Sequence, residues 1–184
     1  MVLDGPRIRL RPWQDSDSAP FAALNADPEV MRHFVAPLTR EQSDAFIAHN
    51  RAHEAQHGYC FWAVELRDQA PLIGLCGLQR VTFEARFTPA VEIGWRLARP
   101  FWGQGLAEEA ARIALAAGFG PLGLAEIVAF TVPANRRSWG LMQRLGMRPD
   151  GDFPHPRLPE GHPLRTHLLY RLTREDWVRQ RLEE

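Results

Sequence analysis

The stretch that most constrains how this chain folds is residues 91–117, VEIGWRLARPFWGQGLAEEAARIALAA. Val91, Ile93, Trp95 and Leu97 place apolar side chains at alternate positions, the period of a strand with one packed face. Arg99 and Pro100 end the alternation. Trp102-Gly103-Gln104-Gly105-Leu106-Ala107 then opens an alanine-rich run of high helix propensity, with Glu108 and Glu109 in its first turns, where the helix dipole favours acids. A strand that passes through a glycine turn into a helix N-terminus is anion-binding architecture. Glycines let backbone N–H groups converge on a phosphate unobstructed, and the first helical turn adds donors with no partner inside the helix. A tight structural turn with no ligand is the competing reading of the same residues.

At 184 residues, 45% of them hydrophobic, the chain has the length and apolar content for one domain with a substantial core, so a single domain over 1–184 is expected. Lys+Arg and Asp+Glu balance at 22 each, which leaves no global field to draw the protein to nucleic acid or an anionic membrane. Cys60 and Cys76 sit in apolar stretches without metal-ligand spacing. Buried, reduced thiols are expected, and no metal site. The opening residues MVLDGPRIRLRPW lack the apolar core of a signal peptide, and no apolar run reaches the ~18 residues of a membrane span. The expected location is the cytoplasm.

Along the chain, Arg7, Ile8, Arg9, Leu10 and Arg11 alternate as a short strand with its arginines facing solvent or a ligand. Asp15 or Asp17 is placed to cap a helix through Phe21 and Leu24, and Thr39 with Gln42 makes a capping box for a longer helix bearing Phe46, Ile47 and His53. Residues 60–66 and 71–81 read as a hairpin, and with 91–97 as an antiparallel meander. The apolar run 127–132 is bounded as a buried strand. Because a helix separates it from 91–97, those two strands are expected to be parallel, joined by a right-handed crossover. A helix over 135–145 closes at Gly146, 147–153 and 167–172 supply later strands, and Thr173 caps a C-terminal helix. The proline-rich segment 154–163 is expected to be a surface loop or lid.

Strand, glycine turn, alanine-rich helix, strand, Pro-Ala-Asn-x-x-Ser, helix and Leu-Gly-Met, in that order, resembles the GNAT N-acetyltransferase superfamily over 7–172. Within it the chain resembles the branch that acetylates the N-terminal α-amines of ribosomal proteins. The family's acetyl-CoA signature, (Arg or Gln)-x-x-Gly-x-(Gly or Ala), is matched at Gly105 and Ala107 and departs at Trp102, where Trp-Gly-x-Gly is common in the branch. Asn135-x-x-Ser138 followed by Leu145-Gly146-Met147 is similar to the branch's second block. The resemblance implies an α+β (mixed α/β) fold, with a mainly antiparallel sheet of about six to seven strands, a central splayed parallel pair, and flanking helices. It implies acetyl-CoA as donor, CoA as product, no metal, and a primary amine as acceptor, either a protein N-terminal α-amine or a small molecule. Neither nucleic acid nor membrane is expected as a partner, and a monomer or homodimer is expected.

On this resemblance the pyrophosphate falls to Gly103, Gln104, Gly105, Leu106 and Ala107, with Trp102 at the head of the turn. The pantetheine amides fall to the strand edge Trp95, Arg96 and Leu97, as a β-strand addition. Asn135, an N-cap in any reading, is implied to touch CoA. Amine attack on a thioester needs a neutral amine and a proton for the departing sulfur. Glu92, on the strand face opposite Val91, Ile93 and Trp95, is the candidate base; a solvated or salt-bridged glutamate is the alternative. On that role, Glu92→Gln is expected to depress activity most at low pH. Ser138 is the candidate donor to the sulfur by its match, against a helix serine bonded to the carbonyl one turn back. His155 and His162, with Glu84, Arg86 and Thr88, are further candidates for reading the acceptor. The competing function is a non-catalytic acetyl-CoA- or CoA-binding regulatory module.

Overall fold

The computed structural model describes residues 1–183. Among the described residues eight strands form a mixed sheet in the order β1-β2-β3-β4-β5-β6-β8-β7, accompanied by five α-helices. The strands are β1 (Leu3–Asp4), β2 (Ile8–Arg11), β3 (Phe61–Leu66), β4 (Ala70–Arg80), β5 (Val91–Leu97), β6 (Glu126–Thr131), β7 (Arg148–Pro154) and β8 (Thr166–Thr173). The helices are α1 (Ser18–Ala26), α2 (Arg40–His57), α3 (Leu106–Phe119), α4 (Arg136–Arg144) and α5 (Arg174–Glu183). The strand beyond the six or seven expected is the two-residue β1, too short to carry an alternation. By internal contacts the chain divides into two compact units, one of Met1–Gln79 with Ile93–Ala114 and one of Arg80–Glu92 with the chain from Leu115 onward.

In the first unit β1, β2, β3 and β4 pair antiparallel in succession. Its core joins Trp13, Phe21, Leu24, Ile47, Phe61 and Leu75, with Phe46 and Trp102 packed against it. The sequence explains both ends of α2. The Thr39 side chain accepts from the Gln42 N–H and the Gln42 side chain from the Thr39 N–H, while Gly58 closes the helix in the left-handed conformation, φ 82°. The expected cap at Asp17 is not made. Its carboxylate instead takes a bidentate bond from Arg11, at 2.8 and 2.9 Å. Arg11 therefore leaves the exposed row of arginines and is buried, because a fully paired guanidinium can satisfy its donors inside.

In the second unit β6 pairs antiparallel with β8, and β8 with β7. Phe87, Val128, Phe153 and Leu169 form its core, with Val81, Phe83 and Phe130 partly buried against them. The parallel pair is made at Glu92 of β5, whose register partner on β6 is Val128. Tyr170 is buried with its hydroxyl accepting from Gln143 Nε2 at 3.3 Å. Among the described residues no helix is long and apolar enough to cross a membrane.

Candidate functional site

The glycine turn belongs to the first unit. Gly103 and Gly105 take φ values of 71° and 75°, which side chains resist, and a Cβ on Gly103 would stand in open space. Trp102 anchors the turn by donating its indole N–H to the Leu97 carbonyl at 2.7 Å, and Gln104 Nε2 donates to the Pro100 carbonyl at 2.9 Å. Arg7 arrives from just before β2. Its Nη1 donates to the Gln104 carbonyl at 2.9 Å and its Nε to Glu109 at 2.7 Å, and its Nη2 lies 3.5 Å from where a Cβ on Gly105 would be. Glu109 also accepts from the Arg7 and Ile8 N–H groups, and these bonds hold its carboxyl below the usual range against the opposing effect of burial. The turn residues Gly103 to Ala107 thus come with a half-exposed guanidinium, which the sequence signature does not supply because Trp102 occupies its basic position.

On β5, Trp95 and Arg96 are partly buried and Leu97 is buried. Arg96 turns toward α1 and α2: Nη1 donates to Asn25 Oδ1 at 2.7 Å, and Cζ stands 4.5 Å from the Phe34 ring centroid and 5.7 Å from that of Phe46. Burial lowers its pKa to about 10.

Glu92 lies in the second unit, and burial of its carboxyl pushes its pKa up to about 8 against the opposing charge of Arg157. At neutral pH the group therefore holds a proton. Arg157 comes from the proline-rich segment, which is no free linker: the His155 N–H donates to the Arg165 carbonyl at 2.7 Å and closes it into a compact loop. Arg157 donates to Thr82 Oγ1 and lies 5.8 Å from the Phe83 ring centroid, so the loop is fastened to the segment before β5. His155 packs 4.5 Å from Phe83 and 4.9 Å from His167. Burial, then His167 and Arg157, lowers the His155 pKa to about 4. His162 lies in the same loop, where its Nδ1 accepts from the Leu164 N–H at 3.1 Å. Glu84 and Thr88 line a shallow depression with Val81, Thr82 and Phe83, whereas Arg86 turns to the Asp150 carboxylate at 3.5 Å.

Asn135 caps α4, accepting from the Ser138 N–H at 3.4 Å and donating to Thr131 Oγ1 at 3.1 Å. The Ser138 hydroxyl is partly exposed and bonds to no described residue, including the carbonyl one turn back. Cys60 and Cys76 are free, buried thiols, and burial pushes both well above the ordinary thiol range. Neither is poised as a nucleophile. Among the described residues no group of three His, Cys, Asp or Glu side chains gathers as a metal site would require.

A family model described as "Acetyltransferase (GNAT) domain" matches residues 7–148. The Bacillus subtilis strain 168 protein YkkB is 32% identical over 142 residues, covering 77% of this chain and 81% of its own. The N-acetyltransferase YnaD of the same organism, itself uncharacterized, is 28% identical over 178 residues, 96% of this chain and 99% of its own. Among solved structures, Mycobacterium smegmatis RimJ in complex with CoA-disulfide superposes with a TM-score of 0.74 at 24% identity, over 96% of this chain and 87% of its own.

Proposed function

We propose, for a chain that belongs to the GNAT acetyltransferase family, that the acetyl group passes directly from acetyl-CoA to a primary amine, either a protein N-terminal α-amine or a small-molecule amine. The observation that carries the proposal is the glycine turn: Gly103 and Gly105 at positive φ, open space over Gly103, and the Arg7 guanidinium beside the start of α3. These are the donors and the charge that a pyrophosphate requires. That RimJ is described with a CoA-disulfide on the same fold supports CoA as the group that fills the turn.

Bound there, acetyl-CoA supplies an acetyl thioester, and the chain's own residues do the rest. Gly103, Gln104, Gly105, Leu106 and Ala107 receive the pyrophosphate, with Trp102 fixing the turn through Leu97. The edge Trp95 to Leu97 offers backbone groups to the pantetheine arm, and Asn135 holds the start of α4 in place. Glu92, uncharged until its pH approaches about 8, takes the proton that the acceptor amine gives up as it attacks. Ser138 keeps a proton at Oγ, engaged by no other residue, for the CoA sulfur. Much of the acceleration then comes from holding both reactants in register. The buried thiols take no part, so no acetyl-cysteine forms.

An acceptor screen tests the proposal. CoA release from acetyl-CoA is followed with small amines and with short peptides of varied first residue, and turnover with at least one amine is expected. Tight acetyl-CoA binding with no release across the whole panel would overturn it in favour of a non-catalytic regulatory module.

A further inference from the structure

Two arginines of the first unit, Arg11 buried and Arg96 partly buried, make a contrast. Every nitrogen of Arg11 is answered: Nε by Glu65 at 3.0 Å, Nη1 by Asp17 and the Pro12 carbonyl, Nη2 by Asp17 and the Pro71 carbonyl. Arg96 has one bond, Nη1 to Asn25 Oδ1. Its Nε is buried and donates to nothing, and no described carboxylate forms an ion pair with it. A guanidinium whose Nε is held out of water with no acceptor and no counter-charge is expensive, and a protein that needed Arg96 only for packing would do better with an apolar residue.

The surroundings of Arg96 are built to hold it in place. Asn25, fully buried on α1, spends its amide on the Ser43 hydroxyl of α2 at 2.9 Å, which fixes the oxygen that Arg96 Nη1 meets. Phe34, 45% exposed on the α1–α2 connection, lies over one side of the guanidinium, and Phe46 stands further off. Phe46 in turn stacks on Phe61, their rings 7° from parallel. By the two-residue period of β5, Gly94 shares the Arg96 face, and a Cβ there would sit 3.0 Å from the Phe61 ring. The result is a cation fixed at one corner by a buried amide, bordered by phenyl rings, with its Nε–Nη2 edge unengaged. That edge is the one that grips a carboxylate with two parallel bonds.

We propose that the Nε–Nη2 edge of Arg96 receives a carboxylate of the acceptor, so that the amine this chain acetylates belongs to a molecule that also carries a carboxylate, an amino acid or peptide of that kind. The assignment rests on acetyl transfer to an amine as proposed above and narrows its acceptor. The role is carried by the Arg96 side chain and is separate from the backbone edge assigned to pantetheine.

The test pairs each α-amino acid with its uncharged carboxamide and with the matching aminophosphonate, and follows CoA release by wild type, Arg96→Gln and Arg96→Lys. Wild type is expected to favour the carboxylate over the carboxamide by at least about tenfold in kcat/KM, as sites built around a charged partner do. In Arg96→Gln that ratio should collapse toward one through a higher KM for the acid, and Arg96→Lys should restore part of it. Equal kcat/KM for acid and amide in wild type, a ratio that survives Arg96→Gln, or a preference for the phosphonate would overturn the assignment. A purely structural role would instead lower the rate with acid and amide alike. Should Arg96→Gln not fold, the wild-type ratio and the Arg96→Lys variant decide. If no amine releases CoA, acetyl transfer itself fails, and calorimetry of the amino acids on acetyl-CoA-loaded protein decides the anion site: binding lost in Arg96→Gln sustains it, and no binding to wild type removes it.

Discussion

Glu92 keeps its proton to about pH 8 because burial penalises the carboxylate more than Arg157 supports it. This reverses the direction expected from a strand glutamate of ordinary acidity. A base protonated at low pH has little to lose there, so Glu92→Gln should cost most above pH 8. On a logarithmic plot, wild-type activity should climb toward pH 8 with a slope of about 2, since an α-amine of pKa about 8 and Glu92 must both lose protons; the variant should climb with a slope of about 1. Superimposable profiles would discard Glu92 as the base. Arg157→Ala, which removes the charge that opposes burial, should move the wild-type limb to higher pH. Ser138→Ala should lower kcat by about tenfold to a thousandfold while acetyl-CoA affinity measured by calorimetry stays close to intact. An unchanged kcat where chemistry limits the rate would remove Ser138 as the acid.

At the scale of elements, the stretch from β5 through the glycine turn into α3 was legible because its signals are local: alternation, paired glycines, an acidic first helical turn. The capping box of α2 was legible for the same reason. What joins these elements from afar was not. Arg7 reads as one more exposed arginine at the head of β2, and nothing in its neighbours says that it reaches the glycine turn. Asp17 stands at the N-cap position of α1 as read, but a cap and an ion pair use the same carboxylate, and its partner, Arg11, looked exposed by alternation. Arg157 sits in a segment whose prolines announce only irregular backbone, yet the loop it belongs to brings charge to bear on Glu92. The element-scale prediction follows from Arg7. Arg7→Gln should weaken acetyl-CoA binding in calorimetry, by a few-fold to about tenfold for a half-exposed cation near a phosphate, and the loss should shrink as salt rises. Affinity unaffected at low salt would mean that Arg7 only braces Glu109.

For the whole molecule, the Glu92 proton is also a term in stability. The carboxyl titrates at 4.5 in the unfolded chain and at about 8 in the fold, so between those values the unfolded state has released a proton that the native state keeps. Stability from this group is complete below pH 4.5 and declines as pH rises through that window. Glu92→Gln lacks the decline, so the difference in Tm between variant and wild type should grow in the variant's favour from pH 5 to pH 8, and a constant difference in thermal denaturation would contradict the burial of the carboxyl. The eight-stranded mixed sheet was foreseen in outline from strand order and the helical crossover, whereas its division into two compact units has no mark in composition. One bond carries a further consequence, for the order of folding. Arg7 and Glu109 lie 102 residues apart in the chain, so the glycine turn is braced only when a distant part of the polypeptide closes on it. Contacts of such long sequence separation form slowly. In refolding, the ability to bind CoA should therefore return later than helical circular dichroism, and Arg7→Gln should shorten that lag.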